Sequence, residues 1–99
     1  MLTGKQRRYL RGLGHHLDPV VHLGKEGLSE GVAQACDAAL EQHELIKVRV
    51  GEAADPSRHG RRDLAGSLAE TVSAELVQVL GRTLLLYRRR REEPSIVLP

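Results

Sequence analysis

The sequence predicts an α/β fold: a compact mixed four-stranded sheet with three helices, in the order α-β-α-β-α-β-β. Segments with the 3.6-residue apolar repeat of helices alternate along the chain with the short apolar runs of strands. With 99 residues and 40% hydrophobic content, the chain has the size and the apolar material of one domain. Tyr9 and Tyr87 are its only aromatic residues, so Leu, Val and Ala must build the core.

The first helix is predicted from the capping residue Thr3 to about Gly14. On a helical wheel, its apolar side holds Leu2, Tyr9, Leu10 and Leu13, and its opposite side holds Arg7, Arg8 and Arg11. Lys5 belongs to the same basic cluster, which precedes the first acidic residue, Asp18. We therefore expect an amphipathic helix with a basic outer face.

A strand, a loop and a second helix are predicted next. The apolar run Pro19-Val20-Val21-His22-Leu23 indicates a short buried strand, and the loop Gly24-Lys25-Glu26-Gly27 follows at once. Ser29 can cap a helix that extends to about Gln42. Its apolar stripe holds Val32, Cys36, Ala39 and Leu40, and its acidic outer face holds Glu30, Gln34, Asp37 and Glu41.

The second half of the chain predicts a strand, a helix and a hairpin. Ile46, Val48 and Val50 alternate with Lys47 and Arg49, which is typical of a strand with one buried and one basic face. After a loose segment, residues 51–60, the spacing of Leu64, Ala65, Leu68 and Val72 marks the third helix. Residues 76–80 and 83–87 flank Gly81-Arg82 and predict a hairpin. We expect the first two strands to pair in parallel across the second helix, with a right-handed crossover.

The domain is expected to span residues 1–91, with residues 92–99 as a C-terminal tail. Two interpretations of the tail remain open: it is loose, or Ile96-Val97-Leu98 docks on the sheet. The arginines at positions 88–91 are followed by Glu92 and Glu93, which favours a frayed, solvated end.

Several functional classes are disfavoured by composition. Cys36 is the only cysteine, so no disulfide within the chain and no cysteine-based zinc site is expected, which fits a reducing, cytoplasmic location. No segment resembles a secretion signal or a membrane span. The five histidines lie at no recognisable metal-ligand spacing, and no activated nucleophile stands out. We therefore expect no cofactor, no small-molecule substrate and no catalytic activity.

The loop at residues 24–27 is the main candidate site. A glycine-flanked turn between a strand and a helix lets backbone N–H groups approach a phosphate, and Lys25 adds positive charge. The spacing alone is weak evidence, because a Gly-x-x-Gly turn also joins strands to helices for purely steric reasons. On the loop alone, the steric interpretation is favoured.

Four ordered segments together carry a stronger signal. They are Leu2-Thr3-Gly4-Lys5-Gln6-Arg7, Leu17-x-Pro19-Val20-Val21, Leu23-Gly24-Lys25-Glu26-Gly27-Leu28 and His43-Glu44-Leu45-Ile46-Lys47-Val48. These segments, and the hairpin that ends in Tyr87-Arg88, resemble the CRM (chloroplast RNA splicing and ribosome maturation) domain. Over roughly residues 1–91 the chain is similar to the stand-alone bacterial members, the YhbY family.

The resemblance implies a fold like the C-terminal domain of bacterial translation initiation factor three, with a Gly-x-x-Gly loop that contacts RNA as in KH domains. It also implies association with precursors of the large ribosomal subunit, whereas plant relatives act in group II intron splicing. Carried onto this chain, the RNA-binding residues are Gly24, Lys25, Glu26 and Gly27, supported by Lys5, Arg7, Arg8, Arg11, Lys47 and Arg49. Glu26 departs from an ideal phosphate clamp because it is an anion.

The leading hypothesis is an RNA-binding protein that contacts the RNA backbone and assists assembly of the large ribosomal subunit. Its predicted partner is ribosomal RNA of a large-subunit precursor, with no membrane. The alternative is a protein-interaction module that docks on a ribosomal or translation factor, motivated by the net charge of only +2 and the acidic second helix. An RNA-modifying enzyme that uses the histidines is the weakest hypothesis.

Overall fold

The computed structural model describes residues 1–54 and 58–99, without the side chains of residues 58 and 59. Its seven elements are α1 (Gly4–Gly14), β1 (Pro19–Leu23), α2 (Glu30–His43), β2 (Leu45–Val50), α3 (Arg58–Thr71), β3 (Glu75–Leu80) and β4 (Thr83–Tyr87). The predicted element order and fold class are confirmed. The segment predicted to be a loop at residues 51–60 lies partly outside the described residues, and α3 begins within it.

The four strands form one mixed sheet in the order β1-β2-β4-β3. β1 and β2 are parallel, with Leu23 opposite Val50, and α2 connects them. β4 is antiparallel to both of its neighbours, β2 and β3. The predicted hairpin turn is Gly81-Arg82, and Gly81 has a φ of +58°, which glycine adopts without steric cost.

Each face of the sheet carries its own apolar cluster. On one face, α2 and α3 pack on β1, β2 and β4 through residues that include Cys36, Leu40, Leu68 and Ile46. On the other face, Leu10 of α1 packs against residues of β2, β3 and β4. That second cluster consists of Leu10, Leu45, Val77, Leu85 and Tyr87. The alternation predicted for β2 is confirmed, because Ile46, Val48 and Val50 are buried in the first cluster.

α1 begins at the predicted cap but is rotated from the predicted orientation. The Thr3 side chain accepts a hydrogen bond from the Gln6 backbone N–H at 3.0 Å, and the Gln6 side chain accepts one from Thr3 in return. Leu10 and Gly14 face the sheet, whereas Tyr9 and Leu13 are exposed. The prediction that Arg7 and Arg11 lie on the outer face is wrong, because both are half-buried on the side that contacts β3.

α2 agrees with its prediction. The Ser29 side chain accepts a hydrogen bond from the Val32 N–H at 3.2 Å, and Cys36 and Leu40 are fully buried. Burial raises the pKa of the Cys36 thiol to about 11, as expected of a core cysteine. The acidic residues of α2 lie on its exposed side.

The C-terminal segment is attached to the domain. Arg88 forms an ion pair with Asp37 at 2.7 Å and donates to the Val72 carbonyl at 2.8 Å, and Arg90 donates to the Gln42 carbonyl at 2.7 Å. The interpretation of residues 88–91 as a frayed end is therefore wrong. Of the two interpretations of the tail, docking is observed, because Ile96 and Leu98 pack against the cluster under α1.

Within the described residues, no helix combines the length and the hydropathy needed to cross a membrane.

Candidate nucleic-acid interface

The Gly24-Lys25-Glu26-Gly27 loop forms a tight turn at the end of β1. The Gly27 N–H donates to the Gly24 carbonyl at 2.9 Å, which closes the turn and leaves Lys25 and Glu26 exposed at its tip. α2 starts three residues after the turn, and its first N–H groups point toward the loop end of the helix. The turn therefore presents a cation beside the positive end of a helix dipole.

The structure requires glycine at only one of the two glycine positions of this turn. Gly27 has a φ of +64°, in the left-handed region where a side chain is disfavoured. Gly24 lies outside that region, and a Cβ added to it would meet no atom within 4 Å. Neither backbone conformation nor packing within the described protein requires glycine at position 24. The steric interpretation thus accounts for Gly27 but not for Gly24.

Two backbone hydrogen bonds bring other segments to the same end of the sheet as this turn. The Gly51 N–H donates to the Leu23 carbonyl at 2.9 Å, and the Val50 N–H donates to the Arg82 carbonyl at 2.7 Å. Arg82 was absent from the sequence-based candidates. Its Nη1 is buried and makes no hydrogen bond with the residues that the structure describes. The sequence feature that could have identified Arg82 is its place as the second residue of the predicted hairpin turn.

Two of the predicted basic residues meet on the face that carries α1. Arg11 and Lys47 line one groove of about 350 Å³ between the C-terminal turn of α1 and strands β2, β3 and β4. Arg49 is exposed on the same face, because it lies two residues after Lys47 in β2. Its neighbours across the sheet are His22 of β1 and Thr83 of β4. Lys47 and Arg49 thus extend from the groove toward the Gly24 end of the sheet.

Arg7 differs from the other predicted basic residues because its guanidinium bonds to backbone carbonyls of the protein itself. Nη1 donates to the backbone carbonyls of Leu76 and Val77, the latter at 3.2 Å. β3 is an edge strand, and its register with β4 shifts between Leu76 and Gln78, so the guanidinium bonds to β3 at an irregularity of the strand. Lys5 and Arg8 are exposed on the outer side of α1, away from the groove.

The titratable residues form no metal site in the described part of the chain, where no cluster of three or more His, Cys, Asp or Glu side chains occurs. His15 and His16 are the one close pair in ring contact there, with centroids 5.3 Å apart. The side chain of His59 lies outside the described residues. The histidines whose side chains the structure describes therefore form no metal-binding cluster with the described Cys, Asp and Glu residues.

Glu44 is a buried carboxylate outside the set of sequence-based candidate residues. It is the C-cap of α2, and its side chain is fully buried. Oε1 accepts hydrogen bonds from the Ser95 N–H at 2.6 Å and the Ile96 N–H at 3.0 Å, and Oε2 accepts one from the Arg90 N–H at 3.0 Å. Burial raises the pKa of this carboxyl, but the hydrogen bonds outweigh burial and lower the pKa to about 2. Glu44 lies at the end of the sheet opposite the loop and has a structural role.

Residues 2–88 match the family described as the CRS1 / YhbY (CRM) domain. The chain belongs to the CRM family. The resemblance inferred from the four sequence segments is therefore confirmed, and it covers nearly the whole chain.

Similar proteins occur in several bacteria. The chain is 39% identical to the probable RNA-binding protein YqeI of Bacillus subtilis, and the match covers 100% of both chains. It is 44% identical to an RNA-binding protein of Haemophilus influenzae, over 99% of this chain and 95% of that one. A solved structure from Staphylococcus aureus, of a hypothetical protein proposed to bind RNA, superposes with a TM-score of 0.86 at 43% identity over 100% of both chains.

These matches agree with two further predictions. The solved Staphylococcus aureus structure supports the predicted fold class. The chain belongs to the CRM family, and its bacterial relatives are named as RNA-binding proteins, which supports the prediction that the chain is not an enzyme.

Proposed function

We propose that this protein binds RNA by gripping the sugar-phosphate backbone with the turn at residues 24–27, and that it assists maturation of the large ribosomal subunit. The observation that carries the loop assignment is the free space at Gly24, where a Cβ would meet no atom within 4 Å. A glycine that the fold does not need leaves the turn open to close approach by a phosphate, at backbone N–H groups other than that of Gly27, which bonds to the Gly24 carbonyl. Lys25 supplies the opposite charge.

Charge on the α1 face supports the same proposal. Arg11, Lys47 and Arg49 make no ion pair in the described part of the chain, and none of the groove-lining residues is acidic. They are therefore available to neutralise phosphates beyond the one held by the turn. In this proposal Lys5 and Arg8 flank the RNA, Glu26 points away from the phosphate, and Arg7 positions α1 rather than contacting RNA.

The ribosomal target rests on family membership. Relatives that this chain covers to 95% or more are named as an RNA-binding protein and a probable RNA-binding protein, and the resemblance to the YhbY family implies a precursor of the large subunit as the RNA. A chain whose single cysteine is buried and unpaired fits the cytoplasm, where such precursors occur in bacteria.

The salt dependence of binding to a fragment of large-subunit ribosomal RNA tests the loop. If about four phosphates are neutralised, a slope of about −0.7 per phosphate predicts roughly 50-fold weaker binding when the salt concentration rises about fourfold. Lys25→Ala should weaken binding and reduce the slope by about 0.7. Arg91→Ala is the charge-matched control, because Arg91 is exposed beyond β4, at the end of the sheet opposite the turn.

Two results would contradict the proposal. Lys25→Ala protein that is folded and keeps the affinity and salt slope of the parent would remove the loop from the interface. A complex with ribosomal particles that survives complete digestion of accessible RNA would favour docking on a protein. The acidic outer face of α2 motivates that alternative, but Asp37 and Glu41 are already paired with Arg88, at 2.7 and 3.5 Å.

A further inference from the structure

The groove between α1 and the sheet offers more than positive charge. Besides Arg11 and Lys47, it is lined by three polar side chains, those of His15, Gln78 and Thr83, and by the apolar side chains of Leu80 and Leu85. Its volume of about 350 Å³ lies within the range of roughly 300–1,000 Å³ that small-ligand sites occupy. We propose that this groove takes one unstacked RNA base, so that the protein reads sequence there; the proposal rests on the RNA binding proposed above.

Hydrogen-bonding groups in the groove have no partner of their own. The side chains of Gln78 and Thr83 make no hydrogen bond to any residue that the structure describes. A glutamine amide offers both donors and an acceptor, and a threonine hydroxyl offers one donor and two lone pairs. The edges of bases present donors and acceptors in patterns that differ from base to base, so these two side chains can discriminate among them. A phosphate, which only accepts hydrogen bonds, would make no use of their acceptor atoms.

His15 and Arg11 supply flat groups against which a base can stack. Unstacked bases in RNA complexes stack on aromatic rings, histidine included, and on the planes of arginine guanidinium groups. His15 is the C-cap of α1, and its backbone N–H donates to the Arg11 carbonyl at 3.1 Å, which holds the two residues one turn apart at the groove. The ring of His15 contacts that of His16 at an interplanar angle of 81°, which limits its orientation.

Close packing of α1 forms the floor of the groove. Gly14 lies against Leu85, and a Cβ on Gly14 would come within 2.7 Å of the Leu85 methyl carbons. The absence of that Cβ lets the end of α1 approach β4, and the groove opens beside this contact. The shape of the site is therefore a consequence of packing that the fold requires.

The groove also lies within reach of the RNA backbone held by the turn. Lys47 lines the groove, and Val50, three residues further along β2, pairs with Leu23 immediately before Gly24. At about 3.3 Å per strand residue, Lys47 and the loop end of the sheet are roughly 10 Å apart. Arg49 lies between them on the same face and can hold the intervening phosphate. A strand clamped at Gly24 would thus pass the groove within a few nucleotides.

The test is the affinity of the protein for four 12-nucleotide RNAs, measured by fluorescence anisotropy at one salt concentration: oligo(A), oligo(C), oligo(U) and an alternating GU repeat. We expect the parent to prefer one of them by about tenfold, since stacking and edge recognition of a single base are worth that much. His15→Ala and the double variant Gln78→Ala/Thr83→Val should each remove most of this preference. His43→Ala is the matched control, because His43 is an exposed histidine at the end of α2 and does not line the groove.

The outcomes separate this proposal from the one on which it rests. Equal affinity of the parent for all four RNAs, or variants that weaken all four equally, would overturn the base site. The loop proposal would still stand if Lys25→Ala reduced the salt slope in the same assay. Thermal melting of each variant, followed by circular dichroism, shows whether a lost preference reflects a lost fold.

Discussion

Glu44 combines two features, each of which by itself reduces the stability of the fold. Its backbone has a φ of +65°, a conformation that favours glycine, and its carboxylate is fully buried. Four hydrogen bonds compensate, from the backbone N–H groups of Arg90, Ser95 and Ile96 and from the Ser95 hydroxyl. One side chain therefore fixes the turn after α2 and the course of the C-terminal segment. A glycine at this position would fit the backbone but would leave the three N–H groups without their acceptor.

The free energy of unfolding should depend on the ionisation of Glu44. Its hydrogen bonds lower the pKa from 4.5 to about 2 despite burial, which raises it. Because the folded-state value is the lower one, the carboxylate stabilises the fold fully above about pH 5, and this contribution disappears as the pH falls toward 2. We expect Glu44→Gln to cost about 3 kcal/mol at pH 7, from 1.36 kcal/mol per pKa unit, and progressively less below pH 5.

Urea denaturation followed by circular dichroism at several pH values measures this effect. Glu92→Gln is the matched control, because Glu92 is exposed in the same C-terminal segment. A Glu44→Gln variant that is destabilised by the same amount at pH 3 and pH 7 would show that the loss comes from the substitution itself and not from the charge.

At the scale of elements, we expect the two glycines of the turn at residues 24–27 to differ in role, Gly27 serving the fold and Gly24 the proposed contact with RNA. Gly27→Ala should lower the free energy of unfolding by about 1 kcal/mol, because alanine is disfavoured at a φ of +64°. Gly24→Ala should leave stability unchanged within about 0.5 kcal/mol, since the added Cβ meets nothing. It should weaken RNA binding roughly tenfold, because the methyl group obstructs a charge-assisted hydrogen bond.

Gly66→Ala provides the control for this comparison. Gly66 is exposed in α3, on the opposite face of the sheet, and a Cβ there also meets no atom within 4 Å. This variant should gain up to about 1 kcal/mol from helix propensity and bind RNA like the parent. If Gly24→Ala also bound RNA like the parent, the glycine at position 24 would have no role in contacting phosphate.

The element boundaries were predictable because each has a local cause in sequence. Thr3 and Ser29 cap α1 and α2 through their own hydroxyls, and Gly81 opens the hairpin turn. The rotation of α1 was not predictable from its wheel. Leu10 and Gly14 face the sheet because Gly14 permits close contact with Leu85 and because Arg7 bonds to β3, and both contacts involve residues about 70 positions away. Because Tyr9 and Leu13 are apolar, the helical wheel placed them on the buried side of α1, whereas both are exposed.

The candidate site shows the same division between local and distant causes. The turn at residues 24–27 was predictable, since strand, glycines, lysine and helix are contiguous in sequence. The groove was not, because it joins Arg11 and His15 of α1 to Lys47 of β2 and to Gln78 and Thr83 of the hairpin. Only the placement of α1 over β2, β3 and β4 brings these residues together. Arg88 was likewise assigned to a frayed end because Asp37 and Val72, its partners, lie 51 and 16 residues away.

At the scale of the whole molecule, the sheet separates two faces that differ in charge. α2 and α3 cover one face, and α2 carries exposed acidic residues there. α1 and the C-terminal segment cover part of the other face, which exposes Lys47 and Arg49 beside the groove. The net charge of +2 therefore hides a polarised molecule. RNA is expected to approach the α1 face and the loop end, where the basic groups are free, and to avoid α2.

Cys36 allows the cooperativity of the fold to be measured. The thiol is fully buried between α2 and the sheet, and burial raises its pKa from 9.0 to about 11. At pH 8 the folded protein therefore holds about a hundredfold less thiolate than the unfolded chain, and thiolate is the form that reacts with disulfide reagents. Because Cys36 lies in the cluster that joins α2, α3 and three strands, exposing it requires that this cluster open. We expect labelling in native buffer to be slow and to accelerate with urea in parallel with global unfolding, with fully denatured protein as the reference rate. Labelling that is rapid, or independent of urea, would mean that α2 opens alone, and the turn it anchors at residues 24–27 would then belong to a locally unfolding unit.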